Sequence, residues 1–325
     1  MHKYIVAALI LVVTVSAEAG LQRGDLLLAG ERSVDLYNGF SHWFVPVEYF
    51  VDHYDERGTF MKRVLTGTPV PTEFTLNPIE SIDEKTVLFA AESHIVRRLN
   101  GDGSPGDRFG GDFRSVSDLV GDASGNVYVA DYRGYGQGEV IKHDRDGNIL
   151  DRYSLDVSSS MDLASDQCTL VYPRLNIRGY GDVVIEWFSI EQYDLCSHSE
   201  LPGFTEQIYP TDVMRLRILP DGGLLILNGH RVERRSPAGT LVWTLTNDDL
   251  EPFVLMLDPT AGSFWVATYS AALLRYDTAD GALLAGPLPI GAGLGARAAT
   301  VIGGWRAGRR NVQPREGPHI RTDLP

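Results

Sequence analysis

One unit recurs along this chain: an apolar strand, a second strand ending in a charged or polar residue, a Gly-containing turn, and a third strand. The apolar strands read Leu26 to Ala29, Val87 to Ala90, Val127 to Ala130, Thr169 to Tyr172, Leu224 to Leu227 and Phe264 to Ala267. They start roughly 40 to 60 residues apart, and a period near 40 built only from short strands is the signature of a β-propeller. The expected fold is therefore all-β, a six-bladed β-propeller with four-stranded antiparallel blades, in one domain over residues 20–305. Propellers serve catalysis, binding and scaffolding alike, so this architecture assigns no activity by itself.

Three copies align well enough to show the outer half of a blade: Phe50 to Phe60, Val140 to Ile149 and Leu274 to Leu283. Each carries a strand, an Asp, a short turn ending in Gly, and a fresh apolar strand. Gly is required because hairpin turns of the right twist need positive φ. A further strand precedes the first apolar run in several repeats (Val116 to Val120, Met214 to Leu219, Phe253 to Leu257) and should lie innermost. The first repeat has no room for one, because Gly24 follows almost directly on the cleavage site expected after Ala19. The strand Ala298 to Ile302 is expected to supply it and so close the ring, removing its open edges. Beyond Trp305 the Arg-, Pro- and Gly-rich segment 306–325 has no periodicity and is expected to be disordered.

The first 19 residues are read separately. His2 and Lys3 precede an apolar run from Tyr4 to Val15, and Ala17-Glu18-Ala19 has the small-x-small pattern of a cleavage site. The run is shorter than the roughly 20 residues that span a bilayer. A signal peptide over residues 1–19, cleaved after Ala19, is expected, which makes the mature chain secreted, periplasmic or extracellular, with no membrane span. The net charge of −14 repels phosphate backbones, and no basic aromatic stripe offsets it, so nucleic acid is not an expected partner. Cys168 and Cys196 both fall in the fourth repeat. In an oxidising compartment they are expected to be bonded, since the start of one antiparallel strand faces the end of the next.

Two repeats carry insertions. Arg32 to Tyr49 widens the first and holds Tyr37, Phe40, Trp43, Phe44 and Tyr49; Pro173 to Ser189 widens the fourth and holds Tyr180, Trp187 and Phe188. Aromatic insertions suit glycan or partner surfaces, and Trp43, Trp187 and Tyr180 are the candidate ligand-binding residues. The plainer reading is that both segments are strand extensions packing on their own blades.

The stretch Gly125 to Asp131, with His143 to Gly147 as its following turn, resembles the core pattern of NHL repeats. Asp166 to Leu170 with Tyr193 to Cys196, then Leu216 to Gly223, then Leu257 to Pro259 with Ser263 to Trp265, are similar to runs in YncE-like secreted six-bladed propellers. The resemblance covers residues 84–305. It implies an exported bacterial propeller, a group mostly without assigned function. Enzymes among such relatives, lactonases and lyases, hold a divalent metal at the central channel with acidic and amide side chains.

By that analogy the candidates here are Asp118, Asp122, Asp162, Asp166 and Asp258, hard oxygen ligands that would suit Ca²⁺. Asp122, Asp166 and Asp258 sit in strand-end turns, where Asp is favoured for bonding its own backbone. Only Asp118 and Asp162 look embedded in inner strands, and the fifth and sixth repeats offer Arg215, Arg217 and Met256 instead of an acidic ring. The histidines are scattered without zinc spacing. Asp144 to Asn148 begins like a calcium loop but has Gly at the fourth place and Leu155 where a bidentate Glu is needed. The reading is an exported binding module for a protein, glycan or small molecule, with no cofactor. The alternative is a Ca²⁺-type hydrolase or lyase at the channel using Asp118, Asp162 and Asp258, the first two as its catalytic residues.

Overall fold

The structure is a computed structural model. It describes residues 21–302, apart from 38–41, 68–78, 83–85, 93, 101–103, 134–136, 158, 181–182, 206–212, 247–251, 269–271 and 291–293. The expected signal peptide and the segment 306–325 lie outside the described residues.

Twenty-four strands form six antiparallel four-stranded sheets. From the channel outward, blade 1 is Leu294–Val301, Leu26–Tyr37, His42–Tyr54 and Phe60–Gly67; blade 2 is Ile79–Ser81, Val87–Glu92, Ile95–Leu99 and Pro105–Phe109. Blade 3 is Val116–Gly121, Val127–Asp131, Glu139–His143 and Ile149–Tyr153; blade 4 is Asp162–Leu163, Thr169–Tyr180, Val183–Asp194 and Ser199–Leu201. Blade 5 is Val213–Ile218, Leu224–Asn228, Arg231–Arg235 and Leu241–Thr246; blade 6 is Pro252–Leu257, Ser263–Thr268, Ala272–Asp277 and Leu283–Pro289. The inner strands touch in ring order, and that of blade 6 meets that of blade 1. The inner strand of blade 1 comes from the far end of the chain: Thr300 lies opposite Leu27 and Ala298 opposite Ala29. Backbone bonds from Gly24 N to Ile302 O, 2.9 Å, and from Ile302 N to Asp25 O, 2.8 Å, complete the clasp.

The continuous apolar runs are the second strands, and the packing shows why they do not alternate with polar residues. Each is buried on both faces, between two neighbouring blades. Leu26 and Leu28 pack toward blade 6 with Met256 and Trp265, whereas Leu27 and Ala29 pack toward blade 2 with Val87 and Phe89. Val127 and Val129 pack on blade 2 while Tyr128 and Ala130 pack on blade 4. Leu224 and Ile226 face blade 4, Leu225 and Leu227 blade 6. The hydrophobic core is thus a set of six seams and not one central mass.

Polar contacts join the seams at the channel. Thr300 Oγ1 accepts the Ser81 N–H at 3.0 Å, linking blades 1 and 2. Asp118 Oδ2 accepts Met161 N–H at 2.7 Å, linking blades 3 and 4. Asp162 Oδ2 accepts Ile218 N–H at 2.8 Å and Ser160 Oγ accepts Leu216 N–H at 3.2 Å, linking blades 4 and 5.

The turns between third and outer strands press on the preceding blade. At Gly147, φ is +93° and an added Cβ would stand 2.7 Å from the Gly110 backbone nitrogen of blade 2. At Gly222, which lies instead in the turn between the inner and second strands of blade 5, φ is +83° but the nearest atom is 3.8 Å away. Gly147→Ala therefore combines left-handed strain with a backbone clash, and a loss of about 2–4 kcal/mol is expected. Gly222→Ala should cost only the strain, about 1–2 kcal/mol. Urea unfolding of both variants checks this; equal losses would remove the packing argument.

His143 fills the seam behind Gly147. Its ring lies 5.5 Å from Phe109 and 5.8 Å from Phe113, its Nδ1 donates to Gly147 O at 3.0 Å, and its buried Nε2 has no hydrogen-bond partner. Burial pushes its pKa below the ordinary value of 6.5. The unfolded chain then binds the proton more readily, so the stability from neutral His143 is complete above about pH 6.5 and declines as pH falls below it. The turn carboxylates add a second, lower window. Asp166 and Asp258 are held below the usual carboxylate range by hydrogen bonds that outweigh the opposing effect of burial, and their contribution fades as pH drops through their folded values. Stability measured against pH should show the upper decline in the native chain and lose it in His143→Phe.

Candidate functional site

The two insertions become ribbons. Past Pro173 and Ile190 the second and third strands of blade 4 pair, among the described residues, only with each other, from Arg174 opposite Ser189 to Tyr180 opposite Val183. In blade 1 the same happens from Ser33 opposite Pro46 to Tyr37 opposite His42. Both are strand extensions, as the plainer reading held. Trp43 lies opposite Leu36; its side chain and that of Tyr180 lie outside the described residues. Both ribbons leave the ring on the side where second and third strands join. Blades 1 and 4 are three apart among six, so the ribbons stand on opposite sides of the channel mouth. The Asp turns and the disulfide occupy the other side of the disc. There Cys168 and Cys196 are bonded, with Cα atoms 5.3 Å apart, a closure that stabilises by about 3 kcal/mol in the chain-entropy account.

The blade 4 ribbon has two unlike faces, because directly opposed residues share a side. Phe188 and Ile190 pack toward blade 5 with Val171 and Leu216. The other face, toward blade 3, carries Trp187 opposite Asn176, Ser189 opposite Arg174 and Glu191 opposite Tyr172. Asn176 Nδ2 donates to Ser189 Oγ at 2.9 Å, and Ser189 Oγ donates to a Glu191 carboxylate oxygen. Trp187 is half-buried above this row.

At the foot of that face lies a cavity of about 340 Å³ between blades 3 and 4. Blade 3 and the segment after it supply Gly138, Ser154, Leu155 and Asp156; blade 4 supplies Tyr172, Arg174, Leu175 and Glu200. Arg174 Nη1 and Glu200 Oε1 are 3.9 Å apart, and both side chains remain open to solvent. Burial pushes the Tyr172 hydroxyl up to about 12, so it is a neutral phenol at any working pH. The cavity therefore offers one guanidinium, two carboxylates and the hydroxyls of Ser154 and Tyr172, drawn from two blades. Trp187 was legible in the sequence as a candidate, but Arg174, Asp156 and Glu200 leave no sign there, since blades 3 and 4 bring them together only by packing.

The channel candidates have a different setting. Asp118 and Asp162 are buried with an oxygen each bonded to a neighbouring blade's backbone, and Asp258 accepts from Thr260 N–H, Ser263 N–H and Arg275 Nη2 at 3.0, 3.1 and 3.2 Å. Among the described residues, only Cys168, Asp194 and Cys196 bring three His, Cys or carboxylate ligand atoms within 4.8 Å of one another, and two of those sulfurs form the disulfide. Among the described residues, Asp118, Asp162 and Asp258 do not bring their carboxylate oxygens within 4.8 Å of one another as a group. Asp122 and Asp166 build turns, accepting Asn126 N–H at 2.9 Å and Thr169 N–H at 2.8 Å.

No protein-family model matches this chain, and no curated protein is similar to it. The six-bladed propeller rests on the strand order and the ring of seams. No helix among the described residues is long and apolar enough to cross a membrane.

Proposed function

We propose that this chain is an exported propeller of the NHL and YncE-like kind that works as a binding module and holds its partner on the ribbon side of the disc. The observation that carries this reading is the placing of two ribbons on opposite blades of one side, with a polar cavity at the foot of one. A rigid ring that presents raised walls and a cleft is suited to holding a ligand. Export is supported by the leader-like pattern of residues 1–19 and by the disulfide, which persists in oxidising compartments.

Two measurements test it. Chelator treatment should leave the melting temperature unchanged, since nothing bound only to the folded state is removed. Partners captured by cross-linking should depend on the ribbon: replacing Arg174 to Ser189 by an Asn-Gly turn should abolish capture, and Trp43→Ala or Trp187→Ala should weaken it by about 1–3 kcal/mol. Metal-dependent turnover of a lactone or ester that disappears in Asp118→Ala or Asp162→Ala would replace this reading with an enzyme at the channel.

A further inference from the structure

The cavity between blades 3 and 4 has a composition that selects among ligand classes. Its volume of about 340 Å³ lies at the small end of ligand pockets, enough for one ring-sized group with its substituents. Charge excludes anions: Asp156 and Glu200 line it, and Glu191 stands opposite the lining residue Tyr172 on the same face, against the one guanidinium of Arg174. Uronates, sialic acids and phosphates would meet more carboxylate than cation on a chain of net charge −14. A bound ammonium is disfavoured for the opposite reason, since Arg174 stands beside Glu200, 3.9 Å away, and would crowd any second cation placed there.

What remains is a neutral ligand that both donates and accepts hydrogen bonds at many points. Carboxylates accept from paired hydroxyls, and a guanidinium donates to hydroxyl or ring oxygens in a fork. Leu155 is buried in the seam between blades 3 and 4 and Leu175 lies opposite Phe188 on the face toward blade 5, so the apolar surface for a sugar ring's C–H face is the indole of Trp187. Trp187 stands on the same ribbon face as Arg174, one row further along, at a strand distance of about 7 Å. That is the spacing at which a second ring, joined to the one in the cavity, would stack on the indole.

We propose that this cleft binds a neutral glycan, one sugar ring seated among Arg174, Asp156 and Glu200 and the next stacked on Trp187. The inference rests on the binding-module reading and names the ligand class of that same side of the disc.

The test is a titration of the full chain against an array of neutral, uronic and sialylated oligosaccharides, followed by calorimetry on any that bind. Binding to at least one neutral oligosaccharide is expected, insensitive to salt, and weakened ten-fold or more in Arg174→Met and in Trp187→Ala. Arg174 is exposed, so Arg174→Met should keep the native melting temperature, and it remains informative if Trp187→Ala folds poorly. The proposal is overturned if no neutral oligosaccharide binds, if Arg174→Met binds as well as the native chain, or if spermidine or a lysine-rich peptide binds instead in a salt-sensitive way. A partner captured by the native chain and lost on ribbon shortening, with no glycan bound, would sink the sugar assignment and leave the binding module standing.

Discussion

A chain ended at Ile290 should fail to unfold cooperatively, whereas one ended at Trp305 should melt at the temperature of the full protein. The strand Leu294–Val301 is the inner strand of blade 1 and is paired with Leu26–Tyr37, which lies at the opposite end of the sequence. Losing it exposes one strand edge, on the second strand of blade 1, and uncovers the packed flank of blade 6. Val301 and Ile302 are 3% and 0% exposed, and removing them alone forfeits about 1.5–3 kcal/mol each. Thr300 also leaves, and with it the acceptor for Ser81 N–H at the seam to blade 2. Set against a total stability of roughly 5–15 kcal/mol, these losses leave little cooperative structure. Differential scanning calorimetry of the two truncated chains decides the matter: a sharp, native-like transition in the Ile290 chain would mean that the ring does not depend on this clasp.

The legible part of the fold was the part that repeats. Second strands such as Val127–Asp131 are apolar on both faces because a blade lies on each side, and such runs stand out against any background of alternating strands. The third-to-outer turns were legible for a similar reason: Asp144 must bond Asp146 N–H and Asn148 N–H, and Gly147 must take positive φ, so the spelling is constrained. Inner strands were harder. Ile79–Ser81 spans three residues and Asp162–Leu163 two, too short for any period to show.

The seams between blades were not legible at all. The residue before the turn Asp, which packs on the blade before, is Tyr54, His143, Tyr193 or Tyr276 in different copies, and only the neighbour's shape explains each choice. The cleft falls in the same class. Gly138, Asp156, Arg174 and Glu200 are scattered over more than 60 residues, roughly one and a half repeats, and nothing in their local sequence marks them as neighbours. Asp118 and Asp162 illustrate the converse. Their inward placement was foreseen, but their partners, backbone N–H groups of the next blade, belong to no side-chain motif and leave no trace in the sequence.

Those two carboxylates give the second large effect. Asp118 is 2% exposed and holds Met161 N–H, whose residue is itself 1% exposed. In Asp118→Ala that N–H is left buried with no acceptor, which costs about 1–3 kcal/mol, the higher end applying because the lost acceptor is charged. Asp162→Ala strands Ile218 N–H in the same way one seam further round and should cost a similar amount. The two act on different seams, so the double variant should lose nearly the sum of the single losses. Asp118→Asn keeps an acceptor oxygen in place and should lose less than Asp118→Ala. A metal site at the channel makes the opposite set of predictions: Asn would be as damaging as Ala because charge is what a hard cation needs, and chelator would reproduce the loss in the native chain. Urea unfolding of the four variants, each with Ca²⁺ and with chelator, separates the accounts. If the native chain weakens with chelator and Asp118→Asn matches Asp118→Ala, these carboxylates are ligands and not the clasps between blades.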